Sequence, residues 1–204
     1  MNNVSGKTAP RAWQRMLSGR RLDLLDPSPL DIEIEDIAHG LARVARWNGQ
    51  TSGDYTFSVA EHSLLVEEIA GDIDGSLSRE YRLAALLHDA PEYVIGDLIS
   101  PFKAALSLDY HAFEARLLGA IHVRFGLPPA LPDATTKLIK RADKAAAYFE
   151  ATGLAGFSLD EARRFFGAPK GLSPKLVTWL TQLSPLPAAE GQARFLKRYH
   201  ELAR

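Results

Sequence analysis

The stretch Leu83–Asp97 reads LAALLHDAPEYVIGD. Its first half is an apolar helical run, and its second half carries His88, Asp89, Glu92, Tyr93 and Asp97. An apolar run has no structural need for an adjacent His-Asp pair in its last turn. Unpaired charge is costly to bury, so buried charges are paired or bound to a metal. Imidazole nitrogen and carboxylate oxygen both ligate divalent transition metals. Taken alone, the dipeptide reads more simply as a capped helix end, with a histidine near the last carbonyls and Asp89 opening a turn before Pro91. Pro91 disfavours helical geometry at Ala90, so the backbone turns there and both side chains point into one space.

Upstream, Ser58-Val59-Ala60-Glu61 is a capping box, serine at the cap and glutamate three residues on. It starts a helix through about Ala70, on which His62 shares the apolar stripe of Leu65, Val66 and Ile69. Ser78 begins the helix that leads to His88-Asp89. Further back, Asp36 is placed to cap a helix with Ile37, Leu41 and Val44 inward. Arg46-Trp47 ends that helix, and Asn48-Gly49 is a turn signal. Leu22–Leu25 and Leu30–Ile34 flank Asp26-Pro27-Ser28-Pro29, and the second run alternates with period two. These read as a small β-hairpin with a Pro-rich turn.

Downstream, Ser107-Leu108-Asp109-Tyr110 resembles a cap for a helix with Phe113, Leu117, Ile121 and Phe125 inward. Asp133 is placed to cap a helix to about Thr152, with Ile139, Ala142, Ala146 and Phe149 on one face and Asp143 bordering it. Ser158 opens a second capping box, Ser173-Pro174 is a serine cap with proline at the first helical position, and a last helix spans about Ala188–Leu202. Every long apolar periodicity is helical, so the expected fold is all-α. One domain is expected over residues 1–204: an N-terminal extension with the hairpin (1–36), a core (37–150) and C-terminal helices (151–204).

The 204 residues include 46% hydrophobic ones, enough for a real core, and carry a formal net charge of −1. No global basic field attracts nucleic acid. There is no cysteine, so thiolate sites and cysteine nucleophiles are excluded, and any metal must sit on histidine and carboxylate. The N-terminus has no apolar signal core and no stretch approaches a membrane span, so a cytoplasmic protein is expected.

Three separate helices thus each place metal-capable side chains on or beside an apolar face: His62, then His88 with Asp89, then Asp143. Jointly they form a shell for one divalent ion with room left for water. The order His…His-Asp…Asp on consecutive helices resembles the HD-domain metal-dependent phosphohydrolases, whose fold is a helical bundle. Arg46-Trp47, Val59-Ala60-Glu61-His62-Ser63, His88-Asp89-Ala90-Pro91-Glu92, Gly96-Asp97-Leu98, Pro101 with Lys103, and Lys140-Arg141-Ala142-Asp143 look like the bacterial YfbR-like 5′-nucleotidases. Those enzymes remove phosphate from deoxyribonucleoside monophosphates. The resemblance covers roughly residues 37–150.

The resemblance implies a metal bound by His62, His88, Asp89 and Asp143. Glu92 would handle the nucleophilic water and protons, and Asp97 would contact the sugar hydroxyl. Arg46 would meet the phosphate, and Trp47 would pack against the sugar and sense its 2′ position. It also implies a small-molecule nucleotide substrate and a homodimer. Two nitrogen and two oxygen ligands suit one divalent ion: manganese, cobalt, iron, nickel, zinc or magnesium. Competing readings are a phosphohydrolase of the same fold acting on a guanosine polyphosphate or a cyclic nucleotide, and a non-catalytic module binding a nucleotide or partner. A two-iron redox centre is a further one, with His111 and His122 as extra ligands by position.

Overall fold

Ser58 and Glu61 exchange the bonds expected of them. The Glu61 N–H donates to Ser58 Oγ at 3.3 Å, and the Ser58 N–H donates to Glu61 Oε2 at 3.0 Å. This reciprocal cap starts the central helix of the bundle, Val59–Ile73. The computed structural model describes residues 12–98 and 110–204. In chain order these form β1 (Trp13–Arg15), β2 (Arg21–Asp23), α1 (Ile34–Leu41), α2 (Val59–Ile73), α3 (Arg79–Leu86) and α4 (Glu92–Ile95), then α5 (Tyr110–Arg124), α6 (Asp133–Gly153), α7 (Leu159–Phe166), α8 (Pro174–Leu180) and α9 (Ala188–Leu202). The fold is all-α with one two-stranded antiparallel hairpin among the described residues. Ser107, on which the expected cap of α5 rests, lies outside the described residues, as do Pro101 and Lys103.

Helix α2 is the centre of the packing and lies against α3, α6 and α9. Val59, Ala60, Val66, Ile69 and Ala70 are buried on it, and so are the polar side chains of His62 and Glu67. Glu67 ties three helices together. Arg198 of α9 donates Nε and Nη2 to its two oxygens at 2.8 Å each, and Arg82 Nε of α3 lies 2.5 Å from Oε1. A buried carboxylate held by two guanidinium groups has its charge compensated. Asp72, one turn further on, accepts from the Ser173 N–H and hydroxyl at 2.7 and 2.6 Å and so fixes the start of α8.

The hairpin is not where the alternation of Leu30–Ile34 puts it. Strand β2 overlaps the first expected run, but its partner is β1, with Gln14 opposite Leu22. The Pro-rich segment instead forms a 3-10 turn at Pro29–Asp31, in which Ser28 Oγ accepts from the Leu30 N–H. Ile32 and Ile34 enter the core while Leu30 is 74% exposed, so the period-two pattern is only partly inward-facing. Asp36 is not the cap of α1, since Glu33 holds that position. Asp36 is buried one turn in and accepts from the Ser18 N–H and hydroxyl at 2.9 and 2.5 Å. Its carboxylate anchors the hairpin turn to α1. Asp133 likewise begins α6 without capping it, the cap position being Pro132.

Helix α1 stops at Leu41, earlier than its apolar period suggests. The chain then pairs briefly with the entry to α2: the Arg46 N–H donates to Phe57 O at 2.9 Å and the Val59 N–H to Val44 O at 3.0 Å. Residues Arg46–Gly49 form a short turn in which Trp47 and Asn48 adopt φ of 58° and 51°. Left-handed backbone is uncommon for a bulky residue such as tryptophan. It aims the Arg46 and Trp47 side chains back at the bundle.

Candidate metal centre

Helix α3 buries Leu83, Ala84, Ala85 and Leu86. It ends at Leu87, and a run of turns carries the chain past Pro91, with the Ala90 N–H donating to Leu87 O and the Glu92 N–H to Asp89 O, each at 3.0 Å. His88 and Asp89 therefore sit where the backbone changes direction. The His88 ring is oriented by its own helix, Nδ1 lying 2.9 Å from Ala85 O. A carbonyl can only accept, so Nδ1 carries the proton and the Nε2 lone pair is available to an ion.

His62 projects from α2 with no exposed surface. Its Nδ1 lies 2.5 Å from Glu150 Oε1, which again leaves Nε2 as the ligating atom. That Nε2 is 3.2 Å from Asp143 Oδ1 and 3.4 Å from Asp89 Oδ2, and His88 Nε2 is 3.1 Å from the same Asp89 oxygen. Ligand atoms of His62, His88 and Asp143 all lie within 4.8 Å of one another. Both Nε2 atoms are buried, yet neither makes a hydrogen bond of acceptable geometry. Ring nitrogens and carboxylate oxygens that converge in this way match the donor set of a divalent cation.

The charges point the same way. Burial and the Arg46 charge push the His62 imidazole down, but Glu150, Asp143 and Asp89 outweigh both and hold it well above the ordinary histidine value. Burial pushes the Asp89 carboxyl up, and His88 and His62 outweigh it to hold the group well below the carboxylate range. The cluster therefore draws positive charge, which a divalent ion supplies. Exposure falls off from one side: the Asp143 side chain is 39% exposed and that of Asp89 22%, against none for His62. Asp143 marks the side from which solvent or a substrate reaches the cluster.

Glu150 is the group that sequence reasoning missed. It lies seven residues after Asp143 on the same face of α6 and is fully buried. Besides His62 it accepts from Trp47 Nε1 at 2.9 Å, and from Arg46 Nε and Nη2 at 3.4 and 3.3 Å. Burial pushes its carboxyl up, but His62 and Arg46 bring it down to about 2. The signal available in the sequence was a lone carboxylate inside the apolar run Ala145–Ala151.

Of the remaining expected residues, Arg46, Trp47 and Asp97 connect to this centre through Glu150. Arg46 Nη1 donates to Asp97 Oδ2 at 3.3 Å, so the guanidinium joins Asp97 to Glu150. Burial pushes its pKa down, and Glu150, Asp97, Asp89 and Asp143 together raise it. The Trp47 ring packs against Phe157 and Phe166 with centroids 5.6 and 5.8 Å away. Glu92 is 2% exposed at the first position of α4. The His111 side chain is 86% exposed, and His122 is buried on α5. Among the described residues neither joins the cluster, and no second group of three potential ligands forms. A two-iron centre using them has no geometric basis there.

A family model described as the HD domain matches residues 59–148, a span that contains His62, His88, Asp89 and Asp143. An uncharacterized protein of Rhodobacter capsulatus is 59% identical over 195 residues, covering 95% of this chain and 97% of the relative. The uncharacterized protein YfdR of Escherichia coli is 28% identical over 173 residues, covering 85% of each chain. No helix among the described residues is long and apolar enough to cross a membrane.

Proposed function

Because the chain belongs to the HD-domain superfamily, whose members are in general metal-dependent hydrolases, we propose that it is a phosphomonoesterase releasing phosphate from (deoxy)nucleoside 5′-monophosphates. The observation that carries this reading is the convergence of His62, His88, Asp89 and Asp143 beside a partly buried arginine, Arg46.

His62, His88, Asp89 and Asp143 would hold a divalent ion, which would supply water activation and neutralise phosphate charge. The protein's own side chains do the rest. Arg46 presents a planar donor suited to two phosphate oxygens, and it exchanges part of its contact with Asp97 and Glu150 for the substrate. Glu92, buried one turn beyond His88, orients the attacking water and takes its proton. Asp97 and Trp47, both joined to the Arg46–Glu150 network, take the sugar side. Phosphoryl transfer asks mainly for such positioning and electrostatics. A complete ligand set weighs against the non-catalytic reading.

The test is phosphate release from matched deoxy- and ribonucleoside monophosphates after chelation and reloading with manganese, cobalt, iron, nickel, zinc or magnesium. Metal-dependent release from monophosphates is the expected result. Release confined to guanosine polyphosphates or cyclic nucleotides would move the substrate, and no release with any ion would overturn the assignment.

A further inference from the structure

A second charged feature lies on a neighbouring face of α6. Lys137, Lys140, Arg141 and Lys144 follow the spacing i, i+3, i+4, i+7 and form one basic stripe. Lys144 points about 100° around the helix from Asp143. The loop that follows α7 closes over the stripe and adds Lys170, and Phe166 supplies an apolar wall. The open groove so formed holds about 360 Å³, and no aspartate or glutamate lines it. None of the metal-cluster residues lines it either.

The arrangement is built. Arg141 Nη2 donates to Lys170 O at 2.6 Å, clasping the loop to the helix. Gly171 holds φ of +73°, and a Cβ there would lie 3.0 Å from the same guanidinium nitrogen. Like charges at i, i+4 repel on a helix, and here Lys137 faces Arg141 while Lys140 faces Lys144. A chain with net charge −1 has no general cationic excess to account for five cations around one cavity. A multivalent anion bound among them would offset that repulsion. The volume is that of a small-molecule site, and a compact ligand with several negative charges fits it better than one phosphate.

We propose that this cavity, lined by Lys137, Lys140, Arg141, Lys144 and Lys170, is a second ligand site that binds an oligophosphate chain. The chain is either inorganic or the triphosphate of a nucleotide, and an added base would rest against Phe166. The site stands apart from the metal centre and does not depend on the phosphomonoesterase reading.

The test is calorimetric titration of the full-length protein with inorganic tripolyphosphate and with a nucleoside triphosphate, in excess magnesium at low salt. Wild type, Lys137→Gln/Lys144→Gln and Arg46→Ala are compared. The lysines are exposed, so the double variant keeps its fold, which far-ultraviolet circular dichroism checks. A saturable site is expected that is weakened about tenfold or more in the double variant by lost charged hydrogen bonds, weakened by salt, and retained in Arg46→Ala, which removes the phosphate contact at the metal centre. Tighter binding of the nucleotide than of tripolyphosphate supports the base on Phe166, and equal binding supports the phosphate chain alone. Absence of binding, insensitivity to the lysine substitutions, or loss in Arg46→Ala alone would overturn the site. A single-stranded oligonucleotide binding more tightly than tripolyphosphate, with the same lysine dependence, would overturn the small-molecule reading in favour of a nucleic-acid backbone.

Discussion

Glu150 accepts from three side chains with two oxygens, and that fixes what its loss does. A glutamine there keeps one acceptor and replaces the other with an NH₂ group, which meets the N–H of His62 or the donors of Arg46 and Trp47 as a like partner. The His62 tautomer is then no longer set, and its Nε2 is not reserved for an ion. Glu150→Gln is expected to weaken metal retention by roughly 10–100-fold while the helices persist, read by metal content after dialysis alongside circular dichroism. Unchanged retention would reduce Glu150 to a structural ion-pair partner. Glu92 and Arg46 separate differently. Glu92→Ala should keep metal and substrate affinity and lose kcat by about 10²–10⁴-fold, the scale of a general acid–base group. Arg46→Ala should chiefly raise KM, because phosphate is contacted in ground and transition states alike. Steady-state kinetics on a deoxynucleoside monophosphate distinguish the two, and a KM effect for Glu92 would remove its proton role. These residues were legible because His62, His88, Asp89 and Asp143 each break an apolar pattern with a ligand type. Glu150 breaks one too, but its role depends on partners more than eighty residues away in sequence, which no local pattern encodes.

Among elements, the caps were the most legible feature. Ser58, Ser78, Ser158 and Ser173 all cap the helices their sequences announce, because a cap is decided within one turn. The hairpin was not, because strand partners are chosen by tertiary contact: Asp36 holds the turn between β1 and β2, and the Pro-rich segment closes into its own 3-10 turn. The seating of α4, which carries Glu92, rests on a close approach that the sequence does not disclose. A Cβ on Gly40 of α1 would lie 2.8 Å from Tyr93 Cβ and 3.0 Å from Tyr93 O. The second of these is backbone and cannot rotate away. Gly40→Ala should therefore push α1 and α4 apart and destabilise the fold by about 1–3 kcal/mol, the usual scale of overpacking. It should also lower kcat more than metal content. A urea midpoint equal to wild type would show that the two helices yield without strain.

At the scale of the molecule, the cluster joins three parts of the chain: α2 through His62, the turn after α3 through His88 and Asp89, and α6 through Asp143. Three carboxylates, Asp89, Asp143 and Glu150, gather around His62. An ion that binds only the folded arrangement stabilises it by mass action, by about 2.7 kcal/mol at a concentration one hundred times its Kd. In a chain of this length, 1 kcal/mol moves the melting temperature by roughly 2–4 °C. Reloading a chelated sample should then raise Tm by about 5–11 °C, and the rise should grow with the logarithm of free metal. His88→Ala removes one ligand from a turn rather than from a packed helix face, so the variant should fold, and its Tm should not respond to the same ions. Calorimetric melts of both proteins across a metal series test this. An equal metal-dependent rise in wild type and His88→Ala would place the stabilising ion somewhere other than this cluster.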